Sequence, residues 1–184
     1  MRVHKAGPSS GLRRLAGVDP AFGAPYWAHW WGGGLALARF VLDWPELVAG
    51  RSVLDIGCGS GLVAIAAAKA GAARVVAADV DPYAVAACRL NAAANGVAME
   101  VRLGDPIAGG PPDAALILVG DLFYDAGLAA RVTAFLGRCA AAGREALIGD
   151  PWRAHLPHAR LTKLAEYEVR EGATARPAAV FAFS

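Results

Sequence analysis

A set of aspartates and one run of glycines hold most of the chemistry this sequence could perform. Val53-Leu54-Asp55-Ile56-Gly57-Cys58-Gly59-Ser60-Gly61-Leu62 joins an apolar run to a Gly-x-Gly-x-Gly turn. Glycines in such a turn let the backbone bend sharply and let a ligand approach it closely. The dinucleotide fingerprint G-x-G-x-x-G/A has a small last residue, but Leu62 stands there. Asp55, just before the glycines, would repel a pyrophosphate and attract a cation. Asp79 follows at the end of the next apolar run, where an acid can accept hydrogen bonds from both hydroxyls of a ribose. Asp105, after Gly104, could accept one from an adenine amino group. The chemistry implied is the binding of a cationic nucleoside.

Alternating elements must hold these residues. Residues 51–56, 74–79, 99–103, 114–119 and 145–148 read as short strands, and 114–119 is apolar throughout, as in a strand buried on both faces. Residues 62–70, 82–94 and 126–142 read as helices; Asp81-Pro82 supplies an N-cap and a proline at the first helical position. Such alternation predicts a doubly wound α/β domain of Rossmann-like order with a mostly parallel sheet. Two late strands, 167–170 and 178–183 around Gly172, predict an antiparallel edge hairpin and bring the sheet to seven strands. Ligands of such a sheet bind at the carboxyl ends of the strands, so the loops of interest are 57–61, 79–82, 104–107, 120–125 and 149–155.

Residues 25–184 are expected to form one domain, with 25–50 as an N-terminal helical extension. There the aromatic cluster Tyr26, Trp27, Trp30 and Trp31 precedes Gly32-Gly33-Gly34, and apolar residues follow at helical spacing until Pro45. Residues 1–24 read as an irregular basic head. It is a solvated terminus or a targeting segment, with Arg2, Lys5, Arg13 and Arg14 and no acid before Asp19.

With 184 residues, 56% of them apolar and 18% charged, the chain is long and apolar enough for a core without metal or disulfides. The net charge is +2; residues 1–18 hold four cations and no acid, so the remainder carries −2 and shows no cationic cluster of the kind nucleic-acid phosphates need. No apolar run is long enough to cross a membrane. Cys58, Cys88 and Cys139 form neither a disulfide framework nor a metal knuckle, which fits a reducing compartment. The four histidines show no ligand spacing, and no metal site is expected.

Together, Asp55–Gly61, Asp79 and Asp105 resemble the first motif, the ribose acid and the adenine acid of the class I S-adenosylmethionine (AdoMet) methyltransferases, over roughly residues 50–184. The resemblance implies AdoMet as cofactor and S-adenosylhomocysteine (AdoHcy) as product. The cofactor contacts it implies are Asp55, Gly57, Cys58, Gly59, Gly61, Asp79, Val80, Asp105, Pro106 and Gly120. Asp121-Leu122-Phe123-Tyr124 then lies where this class meets its methyl acceptor; it lacks the Pro-Pro of enzymes that methylate planar amides or base amines and resembles a lysine-methylating branch.

A finer resemblance is to the lysine methyltransferases of the electron-transfer flavoprotein β-subunit. It is carried by Pro25 to Gly33 with the helix to Asp43, by Gly59 to Ala66, and by Asp121 to Tyr124 with Ile148-Gly149-Asp150-Pro151 and Arg153. It implies that this β-subunit is the protein substrate, that Asp121 orients the incoming amine, and that Tyr124 walls its channel. The segment before Pro25 is shorter than the family's, and Trp152 stands where a small residue is expected. Trp27 and Trp31 read either as an aromatic wall against a sulfonium or as core. The expected protein is a cytoplasmic monomer, or a mitochondrial-matrix one if the head is a targeting segment, with no nucleic-acid or membrane partner. The alternatives are a methyltransferase of ribosomal protein L11 or of a small molecule, an oxidoreductase disfavoured by Asp55 and Leu62, and a binding protein that retains the fold without turnover.

Overall fold

A computed structural model of the chain describes all residues except Lys5, Pro8, Pro20, Ala21 and Ala173, and the side chain of Arg13. Five parallel strands, β1 (Ser52–Ile56), β2 (Arg74–Asp79), β3 (Glu100–Leu103), β4 (Leu116–Gly120) and β5 (Glu145–Asp150), alternate with helices α3 (Leu62–Lys69), α4 (Pro82–Ala94) and α5 (Ala126–Ala141). Two helices precede them, α1 (Leu12–Val18) and α2 (Gly32–Asp43), and a hairpin of β6 (Leu161–Glu171) and β7 (Thr174–Phe183) closes the chain. The sheet order is β3-β2-β1-β4-β5-β7-β6, with β7 antiparallel to β5 and to β6. The expected fold class is therefore observed. Strand order reverses between β1 and β4, and the crevice at their carboxyl ends is where this architecture places ligands.

Period-two alternation divides the sheet between two cores. Val53, Val75 and Leu116 face α2, α3 and α4, while Leu54, Val76 and Ile117 face the side that α5 covers with Val132, Phe135 and Leu136. Among the described residues no helix is long and apolar enough to cross a membrane.

The structure departs from the sequence reading in three places. First, the head is not irregular throughout: it contains α1 and straps across α4. The His4 amide donates to Asn91 Oδ1 at 2.9 Å and the Arg2 amide to Asn95 Oδ1 at 2.9 Å. Asn91 is fully buried and also donates to the Ser60 carbonyl at 2.8 Å, so it ties the strap to the glycine turn. Second, α2 begins at the glycine triplet rather than after it. A Cβ on Gly33 would stand 2.2 Å from the Gly149 carbonyl oxygen, so glycine is required for α2 to lie this close to the sheet. Third, the hairpin strands are longer than expected, because β6 is an edge strand whose polar, mostly exposed side chains hide its pattern.

Candidate active site

A cavity of about 440 Å³ opens at the carboxyl ends of β1, β2, β3 and β4. Of the residues expected to bind cofactor or substrate, Trp27, Trp31, Gly57, Gly59, Asp79, Val80, Asp105, Pro106, Gly120, Asp121 and Tyr124 line it. Asp55 and Cys58 instead line a small adjoining recess together with Trp27, Trp31, Gly59 and Asp121. Gly61 lines neither; its backbone sits at φ +82° against Cys88, whose sulfur would be 2.6 Å from an added Cβ.

The sheet order gives the cavity two ends. At the β2–β3 end, Asp79 Oδ2 accepts from the Gly59 amide at 2.9 Å and Oδ1 from the Asp81 amide at 3.0 Å. Each oxygen keeps a second acceptor position, as a vicinal diol requires. Burial pushes the Asp79 carboxyl up, and the backbone donors oppose that. Asp105 caps the turn after β3 by accepting from Ile107 N at 3.1 Å and pairs with Arg131 of α5. That pairing brings two elements together at the far end of the cavity, and the sequence alone does not show it. Asp81 caps α4 through the Tyr83 amide at 2.8 Å, as expected.

Between the ends, the glycine turn follows β1. Gly57 holds φ +63°, and a Cβ there would meet Leu122 at 2.7 Å. Asp55, 1% exposed, accepts from Ala64 N at 3.0 Å and so receives the first turn of α3. Burial raises its carboxyl to about 8, with the nearby Asp79 charge adding to the rise. Cys58 is buried; a hydrogen bond with Cys88 and burial keep its thiol protonated, so it is no nucleophile.

The β4–β5 end is arranged differently. Asp121 holds φ +62°, donates its amide to Gly149 O at 3.0 Å, and is 6% exposed. Its Oδ2 accepts from the amides of Gly33 and, at 3.3 Å, Gly34, and its Oδ1 accepts from Arg153 Nε at 2.6 Å. Glu171 accepts from the Gly32 amide. Helix α2 thus has no cap of its own; carboxylates from β6 and from the loop after β4 satisfy its first three amides. Burial raises the Asp121 carboxyl against the opposing pull of Arg153. Beside it, Asp150 is fully buried, accepts from Arg153 N at 2.6 Å, leaves Oδ2 without a partner among the described residues, and is raised by burial to about 6. Tyr26, Trp31 and Tyr124 form the mouth, with ring centres 6.1 Å (Tyr26–Trp31) and 5.9 Å (Tyr26–Tyr124) apart, and Arg153 lies 5.8 Å over Trp31. Sequence reasoning missed Tyr26 as a lining residue, and it placed Arg153 in the acceptor-side motif without a specific role.

The family profile described as "Ribosomal protein L11 methyltransferase (PrmA)" matches residues 40–115. An electron transfer flavoprotein beta subunit lysine methyltransferase from Danio rerio is 45% identical over 154 residues, which is 80% of this chain and 60% of that protein. A match of that extent necessarily includes β4 and the Asp121 corner. The chain has the class I methyltransferase fold. It spans about three fifths of the length of that relative. A ribosomal protein L11 methyltransferase from Aliivibrio salmonicida is 49% identical, over only 37% of this chain and 24% of that protein. The magnesium protoporphyrin IX methyltransferase of Synechocystis PCC 6803, solved with bound SAM, superposes with a TM-score of 0.61 at 17% identity, covering 96% of this chain and 92% of that one, which speaks for the fold.

The lining residues fit AdoMet. Asp79 offers acceptors for a diol, the glycine turn admits close approach, and Trp27 Nε1 is a buried donor without a partner among the described residues. Among the described residues the cavity has no lysine and one arginine, Arg153, which is committed to Asp121, so a phosphate-bearing nucleotide would find no anchor there.

Proposed function

We propose that this methyltransferase transfers methyl groups from AdoMet to a protein lysine, and that the protein is the electron-transfer flavoprotein β-subunit. The observation that carries the reading is the continuity of the cavity, from the acidic end at Asp79 and Asp105 to the aromatic mouth of Tyr26, Trp31 and Tyr124. A long unbranched side chain suits such a mouth, and the relative matched across most of this chain bears the β-subunit in its name.

When bound, AdoMet supplies a methyl group already activated on a sulfonium. The protein's task is then alignment and exclusion of water. In this reading Asp79 receives the ribose hydroxyls, Asp105 with Pro106 and Ile107 receives the adenine, and Gly57, Cys58, Gly59, Gly61, Val80 and Gly120 supply close backbone. Asp55, Trp27 and Trp31 face the cationic methionine end. Tyr124, whose phenol burial holds protonated, walls the acceptor path. The cytoplasm and a monomer are part of the proposal; the three free, buried cysteines support a reducing compartment.

The profile match over residues 40–115 favours a second substrate, ribosomal protein L11, but that match ends before β4 and the acceptor corner. The test is incorporation of tritiated methyl from AdoMet into purified flavoprotein β-subunit and, separately, into L11, with the modified residue mapped by mass spectrometry. Lysine methylation of the β-subunit, lost in Asp79→Ala, is expected. Labelling of L11 alone would move the assignment to the second substrate, and labelling of neither, with AdoHcy still bound, would overturn the protein-methylating reading.

A further inference from the structure

The acceptor end of the cavity is built around a carboxylate with no acceptor position left. Gly33 and Gly34 amides occupy Asp121 Oδ2, while Arg153 Nε and Nη2, both at 2.6 Å, occupy Oδ1. A carboxylate offers about four such positions. Both groups line the cavity, but the guanidinium is the more accessible: the Arg153 side chain is 23% exposed, against 6% for Asp121. Resting on the lysine-methyltransferase reading, we propose that Arg153 is a specificity-determining residue that neutralises Asp121, so that the acceptor end admits a lysine side chain as the neutral amine and excludes the ammonium.

The other charges nearby permit this. Glu171 of β6 is paired with Arg176 of β7 at 2.7 Å and with the Gly32 amide. Asp150 at the end of β5 faces the Arg153 amide and does not line the cavity. Tyr26 and Tyr124 are phenols at the mouth, Asp125 caps α5, and Asp79 lies at the β2 end. Only a neutral amine has a lone pair for methyl transfer, and a free lysine holds its proton to about pH 10.4. A nearby cation and desolvation on entry both favour the uncharged form, against the pull of the aromatic faces on an ammonium. The proton shed on entry goes to solvent.

The test uses n-butylamine, the lysine side chain alone, titrated by NMR into the AdoHcy-saturated protein between pH 7 and 11. Wild type should bind more tightly as the pH rises. Arg153→Gln leaves the Asp121 charge bare and should prefer the ammonium at pH 7, with Arg153→Lys restoring the wild-type preference. The double variant Asp121→Asn/Arg153→Gln removes both charges and should also restore it. In turnover on the β-subunit, Arg153→Gln should move the rising limb of the pH–rate profile up by about one pH unit. Butylamine binding whose pH dependence is the same in wild type and Arg153→Gln would overturn the proposal, and so would no binding to either. A selective amine seat without labelling of any protein would sustain this inference while the substrate reading fails. Labelling with an unchanged pH profile in Arg153→Gln would do the reverse.

Discussion

The two ends of the cavity use the same residue type for opposite purposes. At the β2–β3 end, Asp79 accepts one backbone amide per oxygen and retains acceptor positions toward the cavity. At the β4–β5 end, Asp121 spends its positions on two amides of α2 and on Arg153. The first carboxylate is arranged to meet a ligand, and the second joins a helix, a sheet and an arginine. The lesson is that burial and an acid at a strand end do not identify a binding group; what distinguishes the two is whether acceptor positions remain. Asp79→Ala and Asp121→Ala should therefore fail in different ways.

The largest effect is expected at Asp121. Its removal leaves the Gly33 and Gly34 amides and the Arg153 guanidinium without their acceptor in a buried place. Breaking a buried charge pair from one side costs about 3–5 kcal/mol, and urea unfolding of Asp121→Ala should show a loss of that order. Gly33→Ala tests the same junction through shape alone. The clash with the Gly149 carbonyl oxygen at 2.2 Å should lift α2 from the sheet at a cost of about 3 kcal/mol. If both variants unfold like wild type, the structural reading of this end is broken.

Asp79→Ala should do the reverse. Hydrogen bonds to a charged acceptor contribute about 1.5–3 kcal/mol each, so calorimetry should show AdoHcy binding weakened by at least roughly 10- to 150-fold, the loss of one such bond. Unfolding should shift less than in Asp121→Ala, since the Gly59 and Asp81 amides lie in loops at the cavity edge. Equal stability losses in the two variants would erase the contrast between the ends.

The sequence made one end more legible than the other. Strand 74–79, the glycine turn and the Asp81-Pro82 helix start are local patterns, and the structure places them within a residue of expectation. Asp121 was recognised by position, yet its partners are 32 and 87–88 residues away and only the crossing of α2 over β4 and β5 brings them together. The glycine triplet read as a break before a helix because glycine disfavours helix interiors. In the fold it is the first turn, kept glycine by backbone contact and capped from elsewhere. The strap that Arg2 and His4 form was hidden for the same reason: Asn91 and Asn95 at α4, which receive it, carry no local signal.

Asp55 lies between the two ends and sharpens the comparison through pH. Its carboxyl sits at about 8 in the fold and near 3.9 in the unfolded chain. Between those values the folded protein holds a proton that the unfolded one has released, so stability falls as pH rises, by up to about 1.4 kcal/mol per pH unit. Asp150, at about 6, adds the same sign only below that pH. Urea unfolding between pH 6 and 8 should therefore show a declining stability that Asp55→Asn flattens. An unchanged slope would mean that Asp55 is already ionised beside the Ala64 amide.

The smallest effect is expected at Asp105, which stands between the two patterns. It retains acceptor positions, as Asp79 does, but it also pairs with Arg131 across a surface where its side chain is 32% exposed. A partly exposed ion pair contributes less than about 1 kcal/mol to stability, and one hydrogen bond to a ligand amine contributes on the order of 1 kcal/mol. Asp105→Asn should keep the Ile107 cap, leave unfolding nearly unchanged and weaken AdoHcy binding by about fivefold, measured by calorimetry. Arg131→Gln, which removes the competing cation but leaves the acid, should hold or tighten that binding. If Arg131→Gln weakens binding as much as Asp105→Asn does, the pair acts as one structural unit, and this end of the cavity has the committed character of the other.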